Sequence, residues 1–559
     1  MMPQNLTLKA LFEMAVRAEP RSHVFAKWYE NKAWRQRTYA ETFDRVRTLS
    51  EWFGQHGLRP GASRVAIVLP NSPLWVEAYL AVVGINGAIV PVDPKLTPQE
   101  LHHILSDAEV SMLVTDAAYL KMIASLTPVL PHLQRILLAD EALIPEGLQV
   151  PVETVETALA SVSPSEPLRF WDEATYQPTP DSICGILYTS GTTGKPKGAM
   201  LSHKNFITDA YGALQIIKLE VTSQDSFFMV LPLFHAFCFT ANFLIAVIAH
   251  AQMHYVRSLR TVAEDMRYLR PTILMAVPLL AEKLVAKLVE KARETWLGRT
   301  LCCAFPKVIG RKMLEGLGGK LRLIIVEGAK CDPALLRQLN RFGIPASEGY
   351  GLTECAPIIS LNSPGQGKIG TVGPAIGMLE ARIVKPDAHG VGELHVRGPQ
   401  VFKGYWKRPE ATEETFQGDW LCTGDLASMD ESGLITIRGR AKALIVNREG
   451  KNIYPEEVEQ AIARDPLIGD VVVLAYHGKD EPGERVGAIV SPNEAYVSRV
   501  YATLTPEQLT ERLRDAVKHQ CGTLAAYKHP RKVVVSLTPL ERTSTQKVRR
   551  GVYAGSLDE

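Results

Sequence analysis

The run Tyr188-Thr189-Ser190-Gly191-Thr192-Thr193-Gly194-Lys195-Pro196-Lys197-Gly198 sets glycines, small hydroxyl side chains and two lysines side by side. Glycine permits tight left-handed turns, and hydroxyls with bare amides make a concave donor surface. With two ammonium groups beside it, that surface suits a polyphosphate. It is not a Walker A loop: counting from Gly191, the sixth position holds Pro196 where G-x-x-x-x-G-K-[ST] requires glycine. A flexible surface loop uses the same residue types, but a random loop rarely stacks this whole run against K-P-K-G.

Other stretches bear reactive or ligating groups. Leu231-Pro232-Leu233-Phe234-His235 delivers an aromatic ring and an imidazole, and Val326-Glu327-Gly328-Ala329 closes a strand on small residues. Glu348-Gly349-Tyr350-Gly351-Leu352-Thr353-Glu354 ends on a carboxylate, and Mg²⁺ prefers one or two carboxylates with phosphate oxygens and water. Trp420-Leu421-Cys422-Thr423-Gly424-Asp425-Leu426 is followed by Ile437-Arg438-Gly439-Arg440-Ala441-Lys442. Gly450-Lys451-Asn452-Ile453-Tyr454-Pro455 and Arg542-Thr543-Ser544-Thr545-Gln546-Lys547-Val548 come later. Taken singly, each has a plain reading: a structural histidine, an Asp capping turn amides, a solvated lysine in a basic tail.

Positioning such groups requires a scaffold, and the periodicity supplies one. Phe43, Val46, Leu49, Trp52 and Phe53 recur as one face of a helix over residues 41–55. A strand at 65–69, a helix at 74–83, a strand at 88–92, a helix opened by Thr97-Pro98-Gln99-Glu100 and a strand at 111–115 follow. Thr97 with Glu100 forms a capping box, with Pro98 at the first helical position. Residues 149–180, rich in Pro, Ser and Glu, read as a surface connection. A strand at 183–187 leads into the phosphate-binding run, and a helix starts at His203. Further strands are expected at 227–231, 253–256, 273–277 and 323–326. Alternating strands and helices predict an α/β protein with two tandem helix-covered sheets up to about Gly392. Short turn-rich β segments then predict a small β-barrel-like subdomain. Beyond Arg440, βα units with strands at 471–475 and 485–490 and a helix at 505–518 predict a small mobile α+β domain. The expected division is 1–439 and 440–559, with the charged junction Gly439-Arg440-Ala441-Lys442 as hinge.

In order and rough spacing, these stretches resemble those of the adenylate-forming enzymes: acyl-CoA ligases, luciferases and peptide-synthetase adenylation domains. The resemblance implies ATP binding by Thr189, Ser190, Gly191, Thr192, Thr193, Gly194, Lys195, Lys197, Gly328, Ala329, Tyr350, Gly351, Thr353, Asp425, Arg440 and Lys442. Within that set, Tyr350 faces adenine, Thr353 meets the α-phosphate and Asp425 meets the ribose hydroxyls. It implies Mg²⁺ on Glu354 and Thr192, catalytic roles for Lys547, Glu354 and His235, and a CoA channel at Gly450, Lys451 and Asn452. Phe234, His235, Phe237, Val277 and Pro278 would line the acyl pocket. The family's usual Gly is Cys238 here. In the tail signature P-R-T-x-x-G-K, Glu541 stands for Pro and Gln546 for Gly.

The expected reaction is attack of a carboxylate on the α-phosphorus of ATP, which needs positioning and charge neutralisation more than acid–base groups. A thiol then attacks the acyl-adenylate. The amine-anchoring Asp of peptide-synthetase domains is missing from the apolar stretch Phe234–Phe239, and the run from Tyr350 to Asn362 looks most like the fatty acyl-CoA ligase branch. A medium- to long-chain fatty acid and CoA are therefore the expected substrates. The alternatives are an acyl carrier protein as acceptor and a non-catalytic nucleotide- or lipid-binding relative. No G-x-S-x-G elbow occurs, which argues against a serine hydrolase.

Composition, 46% apolar and 22% charged, is ordinary for a soluble globular protein. The 559 residues carry 62 basic and 60 acidic side chains, net +2, so no bulk field favours nucleic acid. No signal peptide is visible, and the apolar run 239–248, broken by Thr240 and Asn242, is too short to span a bilayer and reads as a buried helix. The 8 cysteines form neither a C-x-x-C pair nor a metal spacing and read as reduced thiols of a cytoplasmic protein. Monomer or homodimer, and peripheral membrane contact, are left open.

Overall fold

The expected helices end where their caps dictate. Thr38 with Glu41, Thr97 with Glu100 and Thr505 with Gln508 each form a reciprocal capping box, opening helices Tyr39–Gln55, Pro98–Asp107 and Pro506–Cys521. Helix Pro73–Gly84 is buried on every side, which makes it an internal helix rather than a surface one. These elements are seen in a computed structural model that describes residues 6–162, 168–189, 196–217, 220–293, 305–328, 331–449, 451–478, 481–542 and 548–558. The chain forms two compact units: Met1–Glu380 with Val396–Leu421, and Ala381–His395 with Cys422–Glu559.

The strands of the first unit are, in chain order, β1 (Val24–Glu30), β2 (Ala33–Thr38), β3 (Arg64–Val68), β4 (Ala88–Pro91) and β5 (Met112–Thr115). Next come β6 (Arg135–Leu138), β7 (Val152–Thr154), β8 (Ile183–Thr189), β9 (Lys197–Ser202) and β10 (Ser226–Met229). The last are β11 (Gln252–Tyr255), β12 (Ile273–Ala276), β13 (Leu323–Val326), β14 (Ala346–Gly351) and β15 (Ile358–Leu361). One sheet has the order β7-β6-β5-β3-β4-β8-β9, the other β15-β14-β13-β12-β10-β11-β1-β2. The fold is α/β, as expected, but the two sheets are not strictly tandem. The hairpin β1–β2 joins the second sheet, where Ala26 and Lys27 pair with Met253 and His254 of β11.

Two further expectations for this unit change. Residues 149–180 are more than a surface connection: β7 edges the first sheet, and Trp171, on the short helix Arg169–Asp172, is buried. Its indole packs where a Cβ on Gly84 would stand, so the segment is docked by a tertiary contact that local composition does not signal. In addition, an antiparallel strand, β9, precedes the helix that starts at His203. The run 239–248 is, as expected, a buried helix, with its first part in π geometry.

Strands β16 (Glu380–Val384), β17 (Gly392–Arg397), β18 (Phe416–Gln417), β19 (Trp420–Met429) and β20 (Ile435–Arg440) form the small turn-rich sheet. In the second unit, β21 (Ile445–Val446) pairs β22 (Asn452–Ile453), and β23 (Ile468–Gly478), β24 (Glu481–Pro492) and β25 (Lys532–Val535) make a three-stranded sheet. The βα reading of this part is corrected: β23 and β24 form an antiparallel hairpin, and only β24 and β25 run parallel. Ile445, Ile453, Val458, Val473, Val490 and Leu513 form its core.

Candidate active site

Four adjacent parallel strands of the second sheet, β14-β13-β12-β10, put their carboxyl ends on one edge. Open α/β sheets bind ligands along that edge. In that order it carries Tyr350–Glu354, Glu327-Gly328, Val277-Pro278 and Phe234-His235. Tyr350, Gly351, Thr353, Glu354, Val277, Phe234, His235 and Phe237 are all half-buried, as groups lining a cleft should be, whereas Pro278 is buried.

Backbone geometry explains the small residues here. Gly328 has φ +91°, a left-handed conformation that other residues rarely adopt, and lies beside Val277. A Cβ on Gly351 would collide with the Pro357 carbonyl oxygen. The buried Glu327 carboxylate lies against Gly349 and Gly351, 3.3 and 3.1 Å from where their Cβ atoms would be. Beneath it, burial and the charge of Glu327 hold the Cys238 thiol well above its ordinary pKa, so Cys238 is a neutral packing residue where the family's usual residue is Gly. Phe234 and His235 rings are 4.5 Å apart, centroid to centroid.

The Leu231–His235 segment is held from the first sheet. Asn71, which follows β3, donates its amide to the carbonyls of Met229 (3.2 Å) and Leu231 (2.7 Å) and accepts from Leu233 N (2.8 Å).

Glu354 is held by a segment from residues 402–406. Phe402 N donates to the Glu354 carbonyl at 2.8 Å, and the Tyr405 hydroxyl donates to Glu354 Oε1 at 2.7 Å. Burial, then the Glu354 charge, keeps the Tyr405 phenol protonated well above the ordinary tyrosine range. The same segment bonds alongside β9: Met200 N to Gly404 O (2.9 Å), Lys403 N to Met200 O (2.9 Å) and Trp406 N to Gly198 O (2.8 Å). Lys197 Nζ consequently sits 5.4 Å from the centre of the Tyr405 ring, a cation–π contact worth about 0.5–1 kcal/mol when exposed. Thr189 and Lys197 pair directly across β8 and β9. The expected phosphate-binding residues between them, Ser190, Gly191, Thr192, Thr193, Gly194 and Lys195, lie outside the described residues, as do Ala329, Gly450 and Lys547.

In the second unit, Asp425 on β19 pairs with Arg440 on β20, with Arg440 Nε 3.0 Å from Asp425 Oδ1. Asp425 is buried, Arg440 is exposed, and Asp425 N donates to Thr423 Oγ1 at 3.1 Å. Asp425 therefore stands beside Arg440, and it is an ion-pair partner within a strand rather than a residue that caps a turn. Lys442 is exposed on the turn Ala441–Ala443. Lys451 closes a turn through N to Asn447 Oδ1 (2.9 Å), and Asn452 begins β22. Arg542 and Val548 bridge in antiparallel fashion at the two ends of the tail signature. Glu541 joins that closure: its carboxylate meets Arg549 at 2.7 Å and its N–H donates to Tyr553 Oη at 2.8 Å. The replacement of Pro by Glu thus adds an ion pair and an N–H donor that proline lacks.

Residues 12–406 match the family described as AMP-binding enzyme, and residues 457–547 match the AMP-binding enzyme C-terminal domain.

The chain belongs to the AMP-binding enzyme family.

This AMP-binding enzyme is 28% identical over 494 residues to the long-chain-fatty-acid–CoA ligase 6 of Rattus norvegicus, covering 82% of this chain and 70% of that one. It is 28% identical over 529 residues to a feruloyl-CoA synthase of an Amycolatopsis species, covering 92% of each. The crystal structure of ATP-bound MatB from Rhodopseudomonas palustris superposes with a TM-score of 0.76 at 27% identity, covering 99% of this chain and 100% of that one. Two positioning residues of the enzyme, Asn71 and Tyr405, were not legible as functional. Asn71 sits in Leu69-Pro70-Asn71-Ser72 with only a turn-like signature. Tyr405 follows Gly404, whose φ of +118° marks a special turn.

Proposed function

We infer that this AMP-binding enzyme activates a medium- to long-chain fatty acid with ATP, forming acyl-adenylate and pyrophosphate, and passes the acyl group to the thiol of CoA. The supporting observation is the shared sheet edge, where Phe234, Phe237 and Val277 stand beside Gly328 and Tyr350–Glu354. Apolar side chains next to a hydroxyl- and carboxylate-bearing strand end suit an acid with a hydrophobic tail and a reacting head. Relatives named long-chain-fatty-acid–CoA ligases favour the same acid.

In this reading Tyr350 stacks on adenine, Thr353 hydrogen-bonds the α-phosphate, and Asp425 with Arg440 receives the ribose. Lys195, Lys197 and Lys547 neutralise phosphate charge, and His235 borders the acyl head. Glu354, its Oε1 fixed by the Tyr405 hydroxyl, offers the hard oxygen donor that Mg²⁺ takes, with Thr192 as second ligand. When bound, Mg²⁺ supplies neutralisation of phosphate charge. Residues 440–559 act as a mobile domain that turns at Arg440–Lys442, first presenting Lys547 and then bringing Gly450, Lys451 and Asn452 to line the thiol channel. Among the described residues no helix is long and apolar enough to cross a membrane, and we place the enzyme in the cytoplasm.

An aromatic acid is the second reading, favoured by the feruloyl-CoA synthase relative that covers 92% of both chains. A panel of saturated and aromatic acids, scored for pyrophosphate release with and without CoA, separates the readings. Thioester formation from dodecanoate is expected; release with ferulate alone would reject the fatty acid. Acylation of a carrier protein in place of CoA would change the acceptor, and silence with every acid would leave only a nucleotide- or lipid-binding relative.

A further inference from the structure

We propose that Glu393, His395 and Cys422 in the second unit form a binding site for a transition-metal dication of the Zn²⁺ type. Glu393 and His395 lie two apart on β17, and Cys422 lies on the neighbouring β19. One donor atom from each side chain lies within 4.8 Å of the other two. His395 Nε2 is 3.4 Å from Glu393 Oε2, and Cys422 Sγ is 3.9 Å from His395 Nδ1.

The chemistry of the set is selective. Imidazole, thiolate and carboxylate together are what Zn²⁺ takes, at about 2.0–2.1 Å for nitrogen, 2.3 Å for sulfur and 2.0–2.2 Å for oxygen. At such lengths tetrahedral donors stand roughly 3.3–3.6 Å apart. The Nε2–Oε2 pair already does; the 3.9 Å sulfur contact is to the other ring nitrogen, Nδ1, so the Cys422 side chain has to rotate toward Nε2 for one ion to take all three donors. His395 is 2% exposed, and its Nε2 makes no hydrogen bond although it is buried and faces Glu393. A buried polar atom left in that state is costly, and a metal ion would satisfy it. Glu393 is already oriented, since Gly424 N donates to its Oε1 at 3.2 Å and so turns Oε2 toward the imidazole. Such fixing of a ligand by a neighbour is usual at metal sites.

Metal binding takes the thiolate, so the thiol proton leaves as the sulfur–metal bond forms. The partly exposed carboxylate, 35% open, leaves room for water as a further ligand.

The test uses the full chain, stripped with chelator and titrated with Co²⁺ and then Zn²⁺. One Co²⁺ per chain is expected, with a thiolate-to-cobalt charge-transfer band that Zn²⁺ abolishes. Cys422→Ser should remove the band, and Glu393→Gln should keep it while weakening binding about tenfold or more. Wild type should gain several degrees of melting temperature with Zn²⁺, whereas Cys422→Ser, matched to wild type without metal, should gain none. No band, or a band that survives Cys422→Ser, overturns the site. Should Cys422→Ser not fold, the Glu393→Gln titration decides alone: affinity equal to wild type also overturns it.

Discussion

Tyr405 donates its hydroxyl to Glu354 Oε1 over 2.7 Å while its ring lies under Lys197 Nζ, at 5.4 Å from the centroid. One phenol thus links the expected metal-binding carboxylate to a lysine of the phosphate-binding run. The expectation for Tyr405→Phe follows. The ring contact stays, the bond to a charged acceptor goes, and such a bond is worth about 1.5–3 kcal/mol. Adenylation should slow about tenfold or more and demand more Mg²⁺, while the melting temperature falls by only a few degrees. A Mg²⁺ titration of pyrophosphate release reads both; an unchanged Mg²⁺ requirement would reject the link.

Asn71→Ala removes three hydrogen bonds from the segment that carries Phe234 and His235. On the proposed reading those residues border the acyl head and not the phosphates, so KM for the acid should rise roughly tenfold while KM for ATP holds, a loss of about 1.4 kcal/mol. Steady-state kinetics with each substrate varied in turn gives the comparison. Equal effects on both would show general loosening.

Lys547→Ala addresses the two-step reading. Adenylate formation should fall by about two to three powers of ten. Thioester formation from synthetic acyl-AMP and CoA should proceed near the wild-type rate. Parallel loss of both half-reactions would remove the alternation of the mobile domain.

The buried His203 ring sets an acid limit. Its Nδ1 accepts from Leu8 N at 3.1 Å, and burial pushes its pKa down to about 3 from 6.5. Between those values the unfolded chain binds the proton and the folded chain does not, so this contribution is complete above 6.5 and shrinks as pH falls toward 3. His254, also pushed down to about 3, acts alike, whereas the buried Asp209, whose carboxyl is raised by burial, acts oppositely. The difference between wild type and His203→Gln isolates the one group. From about pH 7.5 to pH 5 wild type should lose about 2 kcal/mol more than the variant in denaturant unfolding.

Local signals carried much of this fold. Thr97 with Glu100 marked a helix start because both partners are three residues apart, and the apolar strand cores of β3, β5 and β13 are continuous runs. What sequence could not give were pairings decided at a distance. Nothing near Val24 says that β1 belongs beside β11. The docking of Trp171 depends on a glycine far back in the chain, and the length of β23 and β24 exceeds the apolar runs that flagged them. The site divides the same way. Motif residues such as Tyr350 and Asp425 were legible by resemblance, whereas Asn71 and Tyr405 act through bonds to distant segments. His395 and Cys422, 27 residues apart, have no spacing that betrays a ligand set.

The placement of β1 and β2 has a further effect on how the protein is born. Their seat beside β11 does not exist until residues near 253 have left the ribosome. At about 5–20 residues per second, that is a wait of roughly ten to fifty seconds. During that time Phe25 and Ala26, fully buried at the end, have no sheet to join. The docking of the hairpin thus waits until nearly half of the 559 residues have been made, and its apolar side has no strand to pair with before then.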